Sequence, residues 1–452
     1  LVAKQSEGSF ILRIEDTDRT RYIPEAIEVI YKSLRLAGMD YDEGPEKDGG
    51  FGPYVQSERL HIYPKYIEEL IDRDGAYYCF CKKEEAAEGD PSEKPVEKPM
   101  DPCRSLSLKE ARARKEAGEP YVVRQKIPRQ GVTSYNDHVF GYVEFLNQTL
   151  EDQILMKSDG YPTYNFANVI DDHLMGITHV IRGVEYLSST PKYNLLYKSF
   201  GWDIPEYVHL PHIVKDTGGK FSKRDNDASF FDLIQRGYLP EAVINCIALL
   251  GWNPGDDREL FTLPQLVSEF SVDRISKSNA AFSLEKLDWL NGMHIRNMDD
   301  EAFDRIASSH YPPELAGSFD TKPLSAMLKP RITRLTEIPN VVGFITNLPD
   351  YDVALFVHKK SKSTVESAQS VLSSVSAVLE GCEWSNDTLF AALSEFAASG
   401  GMKPATVLWA VRVAITGSLV SPGGATEIAA LLGKEETLKR IDIAVKKIAA
   451  HV

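Results

Sequence analysis

Short apolar runs of strand length recur through the first half of this chain, each closing on charged or polar residues and separated from the next by residues at helical spacing. The runs 10–14, 163–169, 179–182 and 207–214 carry the pattern, and the first closes on Glu15, Asp16 and Asp18. Pro24 suits a first helical position, with Ile27, Ile30 and Leu34 recurring on one face until Gly38. A second stripe, Leu60, Tyr63, Ile67 and Leu70, predicts a helix over 58–73. Strands alternating with helices specify an α/β, doubly wound sheet, and such sheets gather ligands at the carboxyl ends of their strands.

The alternation is interrupted. Cys79-Phe80-Cys81 opens a stretch dense in Glu, Lys and Pro that runs to Met100, followed by Cys103 and a basic, helix-like segment over 108–117. Runs at 121–127, 139–145 and 154–157 read as strands, so an α+β insertion is expected over 77–160. Beyond residue 230 the pattern turns helical, at 239–250 and 284–293 and then in long amphipathic segments at 364–379, 386–398, 405–415 and 435–450. A chain of 452 residues has room for roughly three domains. The expected order is a first catalytic-type part over 1–76, the insertion over 77–160, the second part over 161–217, a basic loop and helical region over 218–309, and an all-α domain over 310–452.

Composition removes several classes. With 43% apolar residues and no apolar run near the ~18 residues of a membrane span, the chain reads as a protein of the cytoplasm or an organellar matrix. Five cysteines, an odd number, do not describe a disulfide framework. A net charge of -15 argues against indiscriminate nucleic-acid binding, so any nucleic acid must be met by particular faces.

After the run 207–214 comes Lys220-Phe221-Ser222-Lys223-Arg224, preceded by Gly218 and Gly219. Two lysines and an arginine on a Gly-rich loop suit a polyphosphate, because ammonium groups can follow the negative charge that builds on a leaving pyrophosphate. Glu15, Asp18, Tyr164, Asn168, Arg182 and Glu185 fall at or near the ends of the candidate strands, and together with the loop they read as one site.

Four motifs in order, Arg13-Ile14-Glu15-Asp16-Thr17-Asp18-Arg19-Thr20-Arg21, Gly160-Tyr161-Pro162-Thr163-Tyr164-Asn165-Phe166-Ala167-Asn168, Asp171-Asp172-His173-Leu174-Met175-Gly176 and the Lys220 to Arg224 loop, resemble the glutamyl-tRNA synthetases of the bacterial and organellar type. The resemblance implies a class I synthetase that joins L-glutamate to tRNA(Glu) through an adenylate, with ATP and Mg2+ and as a monomer. It implies that Arg182 holds the side-chain carboxylate of glutamate and Glu15 its ammonium group, with Tyr164 and Asn168 lining the pocket. Glu185, Lys220, Ser222, Lys223 and Arg224 would meet ATP, with Lys220 and Lys223 catalytic. The insertion would hold the acceptor end of the tRNA through residues such as Lys109, Arg112, Arg114, Lys115, Arg124 and Arg129. The helical domain would read the anticodon, with Lys329, Arg331, Arg334, Lys439, Arg440, Lys446 and Lys447 as candidate contacts.

The resemblance also implies a preceding strand and a His-x-Gly-His signature, so the chain is expected to be an N-terminally incomplete form of the working enzyme. Relatives bind zinc through Cys-x-Cys and a later Cys-x-His. Here Cys79, Cys81 and Cys103 are followed by Ser105, an incomplete set from which no zinc is expected. Four other readings compete: a glutaminyl-tRNA synthetase, whose relatives end in β-barrels; the short paralogue that glutamylates a queuosine base of tRNA, against which the residues beyond 310 count; an enzyme that charges tRNA(Gln) as well; and a non-catalytic tRNA-binding paralogue.

Overall fold

The computed structural model describes residues 1–17, 24–81, 101–215, 229–315 and 320–451. These form two compact units, the first of residues 1–227 and 247–283 and the second of 228–246 and 284–452. The described strands are β1 (Ala76–Cys79), β2 (Val122–Gln125), β3 (Val132–Asp137), β4 (Gly141–Leu146), β5 (Ile154–Met156), β6 (His179–Gly183), β7 (Glu206–Leu210), β8 (Ile213–Lys215) and β9 (Ala280–Phe282). All nine lie in the first unit.

They make three sheets, ordered β1-β2-β5, β4-β3-β7-β6 and β8-β9. In the four-stranded sheet β6 and β7 run parallel with Arg182 opposite His209, β7 and β3 run parallel, and the β3–β4 hairpin adds an antiparallel edge. The hairpin lies within the expected insertion, yet it pairs through Asp137 and Tyr207 with the strand that precedes the basic loop. Its turn is fixed by Asp137, whose Oδ1 accepts the backbone N–H groups of Val139 and Phe140 at 2.9 and 2.8 Å.

The helices Tyr63–Asp72, Tyr164–Leu174 and Thr190–Phe200 pack with the β1-β2-β5 sheet around a core that includes Leu70, Leu155, Phe166, Ile170, Leu196 and Phe200. Inside this core lies a carboxylate, Asp171, fully buried and satisfied by Arg59 Nε at 2.7 Å, Gln56 Nε2 at 2.9 Å and the Tyr63 hydroxyl at 2.9 Å. Removing any one donor would leave a charge partly unpaired in an apolar surround.

Three sequence expectations are corrected. Residues 163–169 form no strand: Thr163 is extended and the helix Tyr164–Leu174 follows, because Phe166, Val169 and Ile170 share a helical face. Residues 10–14 form only isolated parallel bridges, Ile11 to Glu43 and Ile14 to Val55, since the run changes partners between them. The run 207–214 divides into β7 and β8 at Pro211, which has no N–H to give to a ladder; β8 then pairs with β9.

No strand is formed beyond Phe282 among the described residues. The second unit contains the helices Leu284–Asn297, Asp300–Ser308 and Lys322–Leu328, joined in a core with Leu239, Ile295, Phe303, Leu324 and Ile338. Further on come Val365–Glu380, Asn386–Ser399, Pro404–Thr416, Ala425–Leu432 and Lys434–Ala449. Their second core includes Val371, Leu372, Leu393, Val411, Ala414 and Ile441. Local signals set the ends: Thr364 and Ser367 form a capping box, Pro404 stands in the first turn of its helix, and Gly417 closes that helix at φ 62°. No helix among the described residues is long and apolar enough to cross a membrane.

Candidate active site

Arg182 occupies the penultimate position of β6, beside β7. Its Nε donates to His209 Nε2 at 3.3 Å and its Nη2 to Thr190 Oγ1 at 2.7 Å. The rings of Tyr193, Tyr186 and Tyr207 surround the guanidinium, with centroids 4.9, 5.1 and 5.5 Å from its carbon. Burial pushes the Tyr193 phenol up to about 12, so this ring stays neutral. No carboxylate among the described residues pairs with Arg182. A half-buried, always-charged guanidinium in an aromatic frame, with N–H groups unspent, is suited to a planar anion held in two-pronged fashion.

Glu15 is partly exposed and gripped by Arg13, Nη2 to Oε1 at 2.8 Å, while Arg13 Nη1 reaches Asp172 Oδ1 at 2.8 Å. Tyr164, in the first turn of its helix, lies 5.7 Å from Tyr186 between ring centroids. Burial, reinforced by the charge of Glu15, holds the Tyr164 phenol well above its ordinary value, leaving a neutral donor. Asn168, one helical turn on, is 4% exposed and its Oδ1 has no donor. An orphan acceptor beside a candidate pocket is a position where a ligand N–H or water is accommodated. Glu185 is exposed, with His212 Nδ1 4.0 Å from its Oε2. Asp18, Lys220, Ser222, Lys223 and Arg224 lie outside the described residues.

Sequence reasoning missed Arg13, Asp137, Thr190 and His209 as parts of this site. His209 did carry a signal, as one of two histidines inside the mainly apolar run 207–214. Asp137 carried none, because strand pairing rather than spacing brings it beside β7.

The cysteine cluster includes a fourth possible donor that the expectation did not count. Ligand atoms of Cys79, Cys81, Cys103 and Asp101 lie within 4.8 Å of one another. Cys81 Sγ and Cys103 Sγ are 3.7 Å apart, and Asp101 Oδ1 lies 3.4 Å from Cys81 Sγ. Zn–S bonds of about 2.3 Å in a tetrahedron separate ligand atoms by about 3.7 Å, so this donor set fits zinc. Counting three ligands overlooked Asp101. Ser105 is turned away, its hydroxyl donating to the Pro102 carbonyl at 3.0 Å. Burial, followed by the contact with Asp101, pushes the Cys79 thiol up, while Arg124 Nε stands 3.3 Å from Asp101 Oδ2.

Most basic residues expected to face tRNA are engaged within the chain. Arg112 meets Asp72 at 2.6 Å, Arg114 meets Glu119 at 2.5 Å, and Lys115 meets Glu68 at 2.6 Å. Arg129 meets Asp152 at 3.2 Å, Lys329 meets Asp300 at 2.5 Å, and Arg334 lies 3.5 Å from both Asp288 and Glu337. Lys109 is exposed, and Arg331 donates to the Met327 carbonyl at 2.7 Å. Lys439, Lys446 and Lys447 pair with Glu436, Asp442 and Asp350. Arg440 is no surface contact. At 1% exposure it pairs with Glu436 at 2.7 Å and donates to the carbonyls of Phe344, Ile415 and Ile345, pinning core segments together.

Comparisons with known proteins define the class first. The family described as tRNA synthetases class I (E and Q), catalytic domain, matches residues 1–289, and the anticodon binding domain family matches 285–445. The glutamate–tRNA ligase of Clostridium tetani is 47% identical over 456 residues, covering 100% of this chain and 93% of that protein. That of Clostridium botulinum strain Loch Maree is 47% identical over 454 residues, covering 100% and 94%. A crystal structure of a glutamate tRNA ligase from Elizabethkingia meningosepticum, in complex with its amino acid, superposes with a TM-score of 0.87 at 33% identity, covering 99% of this chain and 94% of that one. The chain belongs to the glutamate–tRNA ligases, a family of class I aminoacyl-tRNA synthetases.

Proposed function

We propose that this enzyme attaches glutamate to tRNA(Glu) in two steps driven by ATP. The observation that carries the reading is Arg182, a guanidinium framed by tyrosines and unpaired with any acid among the described residues. It would take the side-chain carboxylate of glutamate, and glutamine, with a neutral amide, could not satisfy the same fork. Glu15, oriented by Arg13, would receive the ammonium group, and Tyr164 and Asn168 would close the pocket. The substrate's α-carboxylate then attacks the α-phosphorus of ATP and pyrophosphate leaves. Lys220 and Lys223 stabilise the charge that develops, Ser222 and Arg224 hold the phosphates, Glu185 meets the nucleotide, and Mg2+ accompanies the phosphates. In the second step a hydroxyl of the terminal adenosine attacks the acyl carbon and AMP leaves.

The α+β segment 77–160 is assigned the acceptor end and 310–452 the anticodon, with Lys109, Arg112, Arg114, Lys329, Arg331 and Arg334 as phosphate contacts, of which Arg112, Arg114, Lys329 and Arg334 would exchange internal carboxylates for the nucleic acid. Residues 1–76 and 161–217 carry the glutamate pocket, 218–309 the phosphate loop and stem contacts, and a monomer suffices for both steps. Cys79, Cys81, Asp101 and Cys103 would hold a structural zinc, tying the end of β1 to the turn at 102–105. The helical second unit supports a glutamate enzyme over a glutaminyl one. Charging of purified tRNA(Glu) and tRNA(Gln), each with glutamate and with glutamine, tests the reading.

A further inference from the structure

Beneath Arg182 lies a buried hydrogen-bonded aspartate–histidine pair to which no role has yet been given. His209 Nδ1 is 2.6 Å from Asp137 Oδ2, and both side chains are wholly buried. Asp137 also accepts the backbone N–H groups of Val139, Phe140 and His209, and these bonds, with His209, hold its carboxyl below the usual range although burial works the other way. A carboxylate can only accept, so His209 carries its proton on Nδ1. Its Nε2 is then a lone pair, and Arg182 Nε–H points at it. Thr190 completes the arrangement: its hydroxyl donates to the Tyr186 carbonyl at 2.9 Å and accepts Arg182 Nη2 at 2.7 Å.

We infer that Asp137 and His209 are positioning residues that fix Arg182 for glutamate and thereby set the enzyme's choice against glutamine. The pair takes the Nε proton, Thr190 takes one from Nη2, and the outer edge formed by Nη1 and the second Nη2 proton is left for the substrate's side-chain carboxylate. Asp137, on β3, reaches the site only through strand pairing with β7. The inference rests on the reading of Arg182 as the carboxylate holder.

Asp137→Asn supplies the test. Each oxygen accepts two N–H groups, but the backbone bonds to Oδ1, 2.9 and 2.8 Å, are shorter than the one from His209 N–H to Oδ2, 3.1 Å, so the new amide nitrogen takes the place of Oδ2, gives up that backbone bond and donates to His209 Nδ1. The imidazole proton must then move to Nε2, where it faces Arg182 Nε–H, donor against donor. The expected result is a rise of about tenfold or more in KM for glutamate with KM for ATP little changed, a smaller preference for glutamate over glutamine, and protonated Nε2 in the 15N spectrum of His209. His209→Leu, which removes the acceptor, should raise the glutamate KM similarly. His209→Gln, whose amide oxygen can face Nε, should recover most of it. Thermal melting and KM for ATP separate these effects from misfolding, since a merely structural role would lower stability and weaken both substrates together. Unchanged glutamate KM in both Asp137→Asn and His209→Leu, with Arg182→Ala still impaired, would overturn the inference alone. Unchanged glutamate KM in Arg182→Ala would overturn the reading beneath it.

Discussion

Arg13 Nη1 meets Asp172 Oδ1 at 2.8 Å, linking the segment that bears Glu15 to the last turn of the helix Tyr164–Leu174. The other side of the same guanidinium holds Glu15, so the carboxylate assigned to the substrate's ammonium is oriented by an acid on another element. Burial opposes the charge on Arg13, but Asp172 and then Glu15 more than offset it, and the guanidinium is held well above its ordinary value. Asp172→Asn keeps the shape and removes the charge. It should weaken glutamate binding about tenfold and lower stability by about 3 kcal/mol, the cost of breaking a mostly buried pair. Isothermal titration with glutamate and urea unfolding check both values, and an unchanged glutamate affinity would remove Asp172 from the account.

Lys223→Ala should slow adenylate formation by about 3 kcal/mol in its barrier, the usual effect of losing one preorganised charge at a developing anion, while tRNA affinity stays nearly intact. The rate of ATP–pyrophosphate exchange measures the first and filter binding the second. An unaltered exchange rate would show that the loop's chemistry lies in another residue.

Zinc should be retained at one ion per chain through dialysis against a weak chelator, and Asp101→Ala should release it under the same conditions. Metal analysis by mass spectrometry reads the stoichiometry, and the melting temperature should fall with the loss. Metal-free protein with a melting temperature indifferent to added zinc would refute the four-ligand site.

Arg440→Met should destabilise the helical unit by about 3 kcal/mol, because the carbonyls of Phe344, Ile415 and Ile345 lose their donor inside the core. The pH dependence follows from Glu436, whose carboxyl is held below its usual value: burial would raise it, but Arg440 and Lys439 overcome that effect. A depressed carboxyl contributes stability above its unfolded value and loses it as pH falls through the folded one. Wild-type stability should therefore decline below about pH 4.5, and that part of the decline should shrink in the variant, where only Lys439 still faces Glu436. Identical acid profiles in urea unfolding would contradict the assignment.

The four long C-terminal helices were legible to within about a residue, since Thr364, Pro404 and Gly417 mark helix ends through local chemistry that no distant partner alters, whereas the shorter Asp300–Ser308, Lys322–Leu328 and Ala425–Leu432 were not named. The α/β half was legible as a class but not in detail. Phe166, Val169 and Ile170 fit a buried strand or a helix face equally well in so short a window, and Pro211 cut a run whose apolar pattern continued through it. Tyr164 and Asn168 were proposed because a motif holds them, and Arg182 because it stands near the end of the candidate strand 179–182. Arg13, Thr190, His209 and Asp137 support Arg182 or Glu15 through contacts between residues distant in sequence, which spacing does not encode. Asp101 was overlooked because it precedes Cys103 where a ligand after it was sought, and Arg440 because a charge on an amphipathic helix reads as solvated until the carbonyls around it are known.

The most direct test of the central claim is charging of purified tRNA(Glu) with radiolabelled glutamate by the wild-type enzyme and by Arg182→Ala. The account predicts ATP-dependent formation of glutamyl-tRNA by the wild type and negligible charging with glutamine. In the variant it predicts a fall of at least about a hundredfold in kcat/KM for glutamate, with KM for ATP nearly unchanged. Equal charging by both proteins, or a variant whose losses fall equally on glutamate and ATP, would contradict it.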